Sequence, residues 1–317
     1  MELYRVHDLS WESVHSTEYD LAIFASGYEQ RGVNIASRLS RAKLKEIAVV
    51  GFTEQDKGTT RLENDDFWQD GWVESITLAH PDDGTAIYNF LRTNWTTDST
   101  IRILVDYSSM SRNWYACVLN WIRFDNKHSR LFVDFAYSAG RYEGHYQSLA
   151  VERITTVPGC EGKANVGKRS FLICGLGFDG WAPLALLDSA EPDEILAFVA
   201  DPAFSQRYVK RAKASNASFL ETYKAFSAND VLLEMPLSSV ARSFALLAET
   251  VSLYHRDYDL ALVPMGPKPH VLASILVCNR FSDVKCLRVS GKQQNPPTVP
   301  ATGDVVLTRA EFRASHK

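Results

Sequence analysis

Two stretches of this chain repeat one another, and the repeat limits the folds open to it. Ala22-Ile23-Phe24-Ala25-Ser26-Gly27-Tyr28-Glu29 is echoed by Leu172-Ile173-Cys174-Gly175-Leu176-Gly177-Phe178-Asp179 at a spacing of 150 residues, each an apolar run ending in glycine, aromatic, acid. Ile47 to Phe52 matches Ala197 to Pro202 at the same spacing, and Ser138-Ala139-Gly140-Arg141 is echoed by Val289-Ser290-Gly291-Lys292 one residue further on. Repetition at this scale indicates two similar domains, not a solenoid of short repeats. With 317 residues, 45% of them hydrophobic, the chain can fill two cores of ordinary size.

Between the repeats, short apolar runs alternate with amphipathic stretches. Asp20 to Ala25 predicts a buried strand that breaks at Ser26-Gly27, followed by a helix whose inner face carries Val33, Ile35, Ala36 and Leu39, and a strand from Ile47 to Gly51. Residues 53–75, acidic but with Phe67, Trp68 and Trp72, predict an exposed excursion. A helix over 82–95, a strand over 101–106, a helix over 114–124 and a strand over 131–137 complete the first half. The second half repeats the alternation, with strands over 170–174, 195–200, 231–235, 258–263 and 284–289 and helices over 181–189, 203–226, 238–255 and 269–280. The expected fold class is α/β, with two tandem Rossmann-like domains of mainly parallel sheets arising from internal duplication. The expected boundaries are 1–154, a Gly- and Pro-containing linker at 155–169, and 170–317, with an edge strand near Asp304 to Leu307.

A formal net charge of −4 gives no global attraction to nucleic acid or anionic lipid and leaves room for a local basic patch. Five cysteines, an odd number without CxxC spacing, fit reduced core thiols and a cytoplasmic location. No stretch reaches the length of a membrane span. Eight scattered histidines predict no metal.

Ligands of open α/β sheets bind outside the carboxyl ends of the strands, so the loops there carry the functional reading. Gly175-Leu176-Gly177-Phe178-Asp179-Gly180 matches G-x-G-x-x-G between a strand and a helix, with Asp201 ending the next strand where an acid could meet a ribose hydroxyl. The first half keeps only Gly27 of that pattern, so a tight strand-to-helix turn explains the glycines as well. Asp106-Tyr107-Ser108-Ser109-Met110-Ser111-Arg112 packs an acid, three serines and a guanidinium into seven residues, a donor set suited to phosphate. Its counterpart is Pro264-Met265-Gly266-Pro267-Lys268-Pro269-His270. Arg141 and Lys292 add a cation after the following strand of each half. The bland account of these loops is solvated turns and N-caps.

Tandem Rossmann-like halves with polar loops after the first strand and before a late helix resemble the CRISPR-associated Rossmann-fold (CARF) sensors and related prokaryotic conflict-system proteins. That resemblance implies an oligonucleotide messenger held between paired domains, and a role as sensor or accessory protein in antiviral defence. By it, Ser26, Gly27, Ser108, Ser109 and Arg112 correspond to Gly177, Gly266, Lys268 and His270; the chain lacks a recognisable effector domain. Glu29, Arg31, Asp179 and Asp201 complete the candidate ligand-binding set.

A second expectation is an enzyme using NAD(P) or S-adenosylmethionine on the Gly175 loop. A third is an interaction subunit binding another protein, such as a partner in a defence complex, for which the Trp68 and Trp72 stretch is suited. The sequence assigns no catalytic residue.

Overall fold

A computed structural model describes residues 1–54, 60–92, 100–126, 128–143, 150–163, 167–226, 232–292 and 299–314, with the side chains of 150, 223–226 and 292 excepted. The strands, numbered in chain order, are β1 (Glu2–Asp8), β2 (Tyr19–Ser26), β3 (Leu44–Phe52), β4 (Thr77–Ala79), β5 (Ile101–Asp106), β6 (Arg130–Gly140), β7 (Ala150–Thr156), β8 (Arg169–Leu176), β9 (Glu194–Ala200), β10 (Leu232–Met235), β11 (Tyr258–Pro264), β12 (Lys285–Lys292) and β13 (Ala301–Arg313). They form two mostly parallel sheets, β4-β3-β2-β5-β6-β13-β1 and β10-β9-β8-β11-β12-β7. The protein is therefore α/β with two Rossmann-like sheets. From its short edge strand inwards each runs through five parallel strands in the order β4-β3-β2-β5-β6 or β10-β9-β8-β11-β12, followed by one antiparallel strand, β13 or β7, beyond which the first sheet adds β1. Leu21 to Ala25 of β2 and Phe171 to Leu176 of β8 are buried without alternation, because helices cover both faces of these central strands.

The chain divides into two compact units, Met1–Glu143 with Asn295–Lys317, and Gly144–Gln294. This differs from a split at 155–169 in a specific way. β7 follows β6 in the chain yet pairs with β12, whereas β13 follows β12 yet pairs with β6 on one side and β1 on the other. The last strand is thus internal to the first sheet, not at the edge of the second. The expected linker belongs to the second unit, where Cys160 accepts a backbone hydrogen bond from Cys286 (2.9 Å) and Cys286 accepts one from Val157 (2.9 Å).

The helices are α1 (Trp11–Ser16), α2 (Arg61–Gln69), α3 (Thr85–Leu91), α4 (Arg112–Phe124), α5 (Trp181–Ala190), α6 (Gln206–Ser215), α7 (Ala217–Phe226), α8 (Val240–Tyr254) and α9 (Lys268–Arg280). Two expectations fail locally. The helix expected after β2 is instead three 3₁₀ turns, Gln30–Val33, Ala36–Arg38 and Arg41–Lys43. Buried Arg31 ties the first turn to β6, donating to the Tyr137 hydroxyl (2.7 Å) and the Ser138 carbonyl (2.8 Å). The 53–75 excursion contains α2, and Trp68 is fully buried against Phe24, with ring centroids 4.9 Å apart. Phe67 and Trp72 pack on the same cluster. Trp68 is thus a core residue, while Trp72 packs on it only partly buried. The five cysteines are buried free thiols. Among the described residues no helix is long and apolar enough to cross a membrane.

β13 is held by charge as well as by its ladder. Arg309 grips the buried Asp134 carboxylate of β6 through two hydrogen bonds (2.6 and 2.7 Å), and the Tyr19 hydroxyl donates to the same carboxylate (2.7 Å). Burial and that carboxylate hold the Tyr19 phenol far above its ordinary range, so it stays a donor. Removing the shared acceptor strands a cation and a hydroxyl. Asp134→Ala is expected to cost about 3 kcal/mol by urea denaturation. Lys45→Ala, which breaks only an exposed pair with Asp20, is expected to cost under about 1 kcal/mol.

Candidate functional site

Strand order reverses between β2 and β5 in one sheet and between β8 and β11 in the other, so each unit has one switch point at the carboxyl ends of its strands. At both, the turn after the first strand is built alike. Asn64 of α2 donates its side-chain amide to the Gly27 carbonyl (2.9 Å) and the Glu29 carbonyl (3.0 Å). Asn216, between α6 and α7, donates to the Gly177 carbonyl (2.7 Å). A Cβ on Gly27 would lie 2.6 Å from the Ser109 Cβ, and one on Gly177 would lie 2.7 Å from the Met265 carbonyl oxygen. The shared glycine is therefore required because the loop after the fourth parallel strand presses on it.

The remaining glycines of the G-x-G-x-x-G stretch also answer to the protein's own packing. A Cβ would meet the Phe198 ring at Gly175 (2.5 Å), the Ser215 carbonyl at Gly180 (1.7 Å) and, across the switch point, the Leu176 carbonyl at Gly266 (2.8 Å). The amides at the start of α5 are taken as well, since buried Asp179 accepts from Trp181 N (2.9 Å) and Ala182 N (3.1 Å). A pyrophosphate at this helix would face that carboxylate instead of open N–H groups. Asp201 lies 3.2 Å from Lys213, which also bonds Glu234.

Most of the hydroxyl-rich loop is similarly self-satisfied. Asp106, buried at the end of β5, accepts from the Ser108 amide and hydroxyl, while Ser108 Oγ accepts from Ser138 N (2.7 Å). Ser26 donates to Asp65, and Ser111 caps α4 by accepting from Trp114 N (3.2 Å). Ser109 differs: its hydroxyl is buried and has no hydrogen-bond partner among the described residues.

The expected cations separate into structural and peripheral groups. Arg31 is spent inside the fold, paired to Glu29 at 2.7 Å and to the Tyr142 hydroxyl at 3.0 Å, with its guanidinium 4.9 Å from the Tyr137 ring centre. His270 is a core residue, 5.7 Å from the Phe198 ring, and burial pushes its pKa down to about 4 against the nearby Pro236 and Met235 carbonyls. It is neutral at pH 7 and supplies no charge. Arg112 and Lys268, by contrast, are the partly exposed first residues of α4 and α9, the helices that follow the fourth parallel strand in each sheet. Arg141 is exposed after β6; the side chain of Lys292 lies outside the described residues.

Sequence reasoning missed Arg61, Asn64 and Asp65. Fully buried Arg61 donates to Asp65 (2.8 Å) and to the Phe52 carbonyl (2.7 Å). With Trp68 these residues sit at helical spacing on one face of α2, a signal hidden by the surrounding acids. It also passed over the basic residues of α6, whose ten residues contain Arg207, Lys210, Arg211 and Lys213 and no acid. A groove of about 720 Å³ opens beside Glu46 to Val49 of β3, lined also by Leu21, Trp72 and Phe90. Among the strands described, β4 pairs with β3 only at Val50–Phe52, so the groove lies away from the carboxyl ends. Among the described residues no group of three or more His, Cys, Asp or Glu side chains could hold a metal.

Two outcomes follow for the second unit. Asn216→Ala is expected to lower stability by about 1–3 kcal/mol in urea titrations, because the buried Gly177 carbonyl loses its donor. His270 titrates near 6.5 when unfolded and about 4 when folded, so its neutral burial is fully favourable above pH 6.5 and is lost as pH falls towards 4. Stability should fall by up to about 1.4 kcal/mol per pH unit across that window, and His270→Phe should flatten this slope in urea titrations at pH 7 and 5.

No protein-family model matches the chain, and no curated protein matches it, so the functional reading rests on the fold and on these loops.

Proposed function

We propose that the protein binds a nucleotide or a related phosphorylated small molecule at the switch points of its sheets. The observation that carries this reading is that Arg112 and Lys268 occupy the same place in the two units, at the first position of a thirteen-residue helix beside the reversal of strand order. A helix N-terminus repels a cation by about 0.3–1 kcal/mol, and an anion bound there would be attracted by both the cation and the helix, offsetting that repulsion in each unit. The partnerless Ser109 hydroxyl beside Gly27 supplies a further donor in the first unit. Signal sensing in prokaryotic antiviral defence, with an oligonucleotide messenger as ligand, belongs to the same proposal and comes from the resemblance to CARF sensors.

An NAD(P) or S-adenosylmethionine enzyme is the weaker alternative. Asp179 already occupies the amides that the pyrophosphate of NAD(P) would use, and the glycines, which either cofactor would need for close approach, are required for internal packing.

Mass spectrometry of the natively purified protein, with thermal-shift titration against mono-, di- and oligonucleotides, tests the proposal. Arg112→Ala and Lys268→Ala should each weaken binding by roughly ten- to a hundredfold, the cost of a charged hydrogen bond of about 1.5–3 kcal/mol, while shifting the unliganded Tm by no more than about 4 °C. Absence of any nucleotide-dependent shift would sink it.

A further inference from the structure

The second unit carries an aromatic and basic shelf distinct from Arg112 and Lys268. Phe178, in the turn after β8, lies between Tyr208 and Arg211 of α6: the ring centroids of Phe178 and Tyr208 are 5.8 Å apart, and the Arg211 guanidinium sits 4.7 Å above the Phe178 ring. Gly180 packs on the Ser215 carbonyl at the end of α6, so Trp181, the next residue, emerges beside that end. Trp181 is 62% exposed, an unusual position for the largest apolar side chain on a structured helix. Back along α6, at 1.5 Å per residue, Arg211, Lys210 and Arg207 lie about 6, 8 and 12 Å from Ser215. Arg207 and Lys210 are exposed, Arg211 is partly so, and α6 contains no acid to neutralise them. Lys213 faces the other way, towards Asp201 and Glu234.

We infer that this shelf binds single-stranded nucleic acid, with a base stacked on Trp181 and successive phosphates running along Arg207, Lys210 and Arg211. The aromatic component decides the occupant. An acidic protein would satisfy the cations but has no use for an exposed indole beside an aromatic–guanidinium stack, whereas every base has a π face for it. The chain's net charge of −4 is no obstacle, because the cations are concentrated on one helix.

The test is fluorescence anisotropy of the full chain with labelled oligothymidylate and oligouridylate, in about 50 mM salt where phosphate contacts are strongest. The expected result is a dissociation constant in the micromolar range, weakened about 5- to 100-fold by Trp181→Ala and retained by Trp181→Phe. Arg207→Ala with Lys210→Ala should reduce the slope of log affinity against log salt by about 1.4, two phosphates at 0.7 each. Circular dichroism of the variants should match the parent, since the substituted side chains are exposed. Arg112→Ala and Lys268→Ala should leave this binding intact, which separates it from the small-ligand proposal. The inference is overturned by no binding at about 100 μM protein, by Trp181→Ala binding as tightly as the parent, by loss of binding in the Arg112 or Lys268 variants, or by polyglutamate competing as well as oligonucleotide at equal charge.

Discussion

The first sheet depends on a strand that the chain delivers last. β13 lies between β6 and β1, so removing it would leave β1 with no sheet partner among the described strands and expose the edge of β6. Its ten paired positions on β6 are reinforced where Arg309 and Tyr19 converge on Asp134. The second sheet has the reciprocal arrangement in β7 on β12. A strand following directly on the last parallel strand of each half could have folded back as a local hairpin; each is instead paired with a strand from the other half of the sequence. The cost is closure of a long loop, which grows only logarithmically with length and is offset by a full ladder of backbone hydrogen bonds.

With the sheets so assembled, the two switch points converge on one solution. A strand ends in a glycine whose carbonyl is held by an asparagine from a later helix, and the loop after the fourth parallel strand packs directly onto that glycine. This explains why the repeated glycine, aromatic, acid turn survives in both halves while the flanking residues differ. The acid serves each half differently, pairing with Arg31 in one and capping α5 in the other. What looks in sequence like a phosphate loop is largely a packing joint. At its margin lie the partly exposed Arg112 and Lys268, the partnerless Ser109 hydroxyl and the shelf around Trp181.

The sequence determined the order and type of most elements, with β1, α1, α2, β4 and β7 missed, because apolar runs of strand length and amphipathic stretches of helix length are local signals. β5 falls on the residues expected, 101–106, and the strands and helices of the second half differ mainly at their ends, apart from a break at Asn216 that divides the helix expected over 203–226 into α6 and α7. The repeat itself was legible, and with it the α/β class and the two sheets. The exchange of β7 and β13 was not, since strand pairing between residues more than 130 positions apart leaves no mark on local composition. Nor was the burial of Arg31, Arg61, Trp68 and His270, whose residue types suit solvent or ligand until tertiary neighbours supply partners or exclude water. Tertiary structure alone decided which cations remained at the periphery, because charge is a property of the residue, whereas its availability depends on what the fold packs around it.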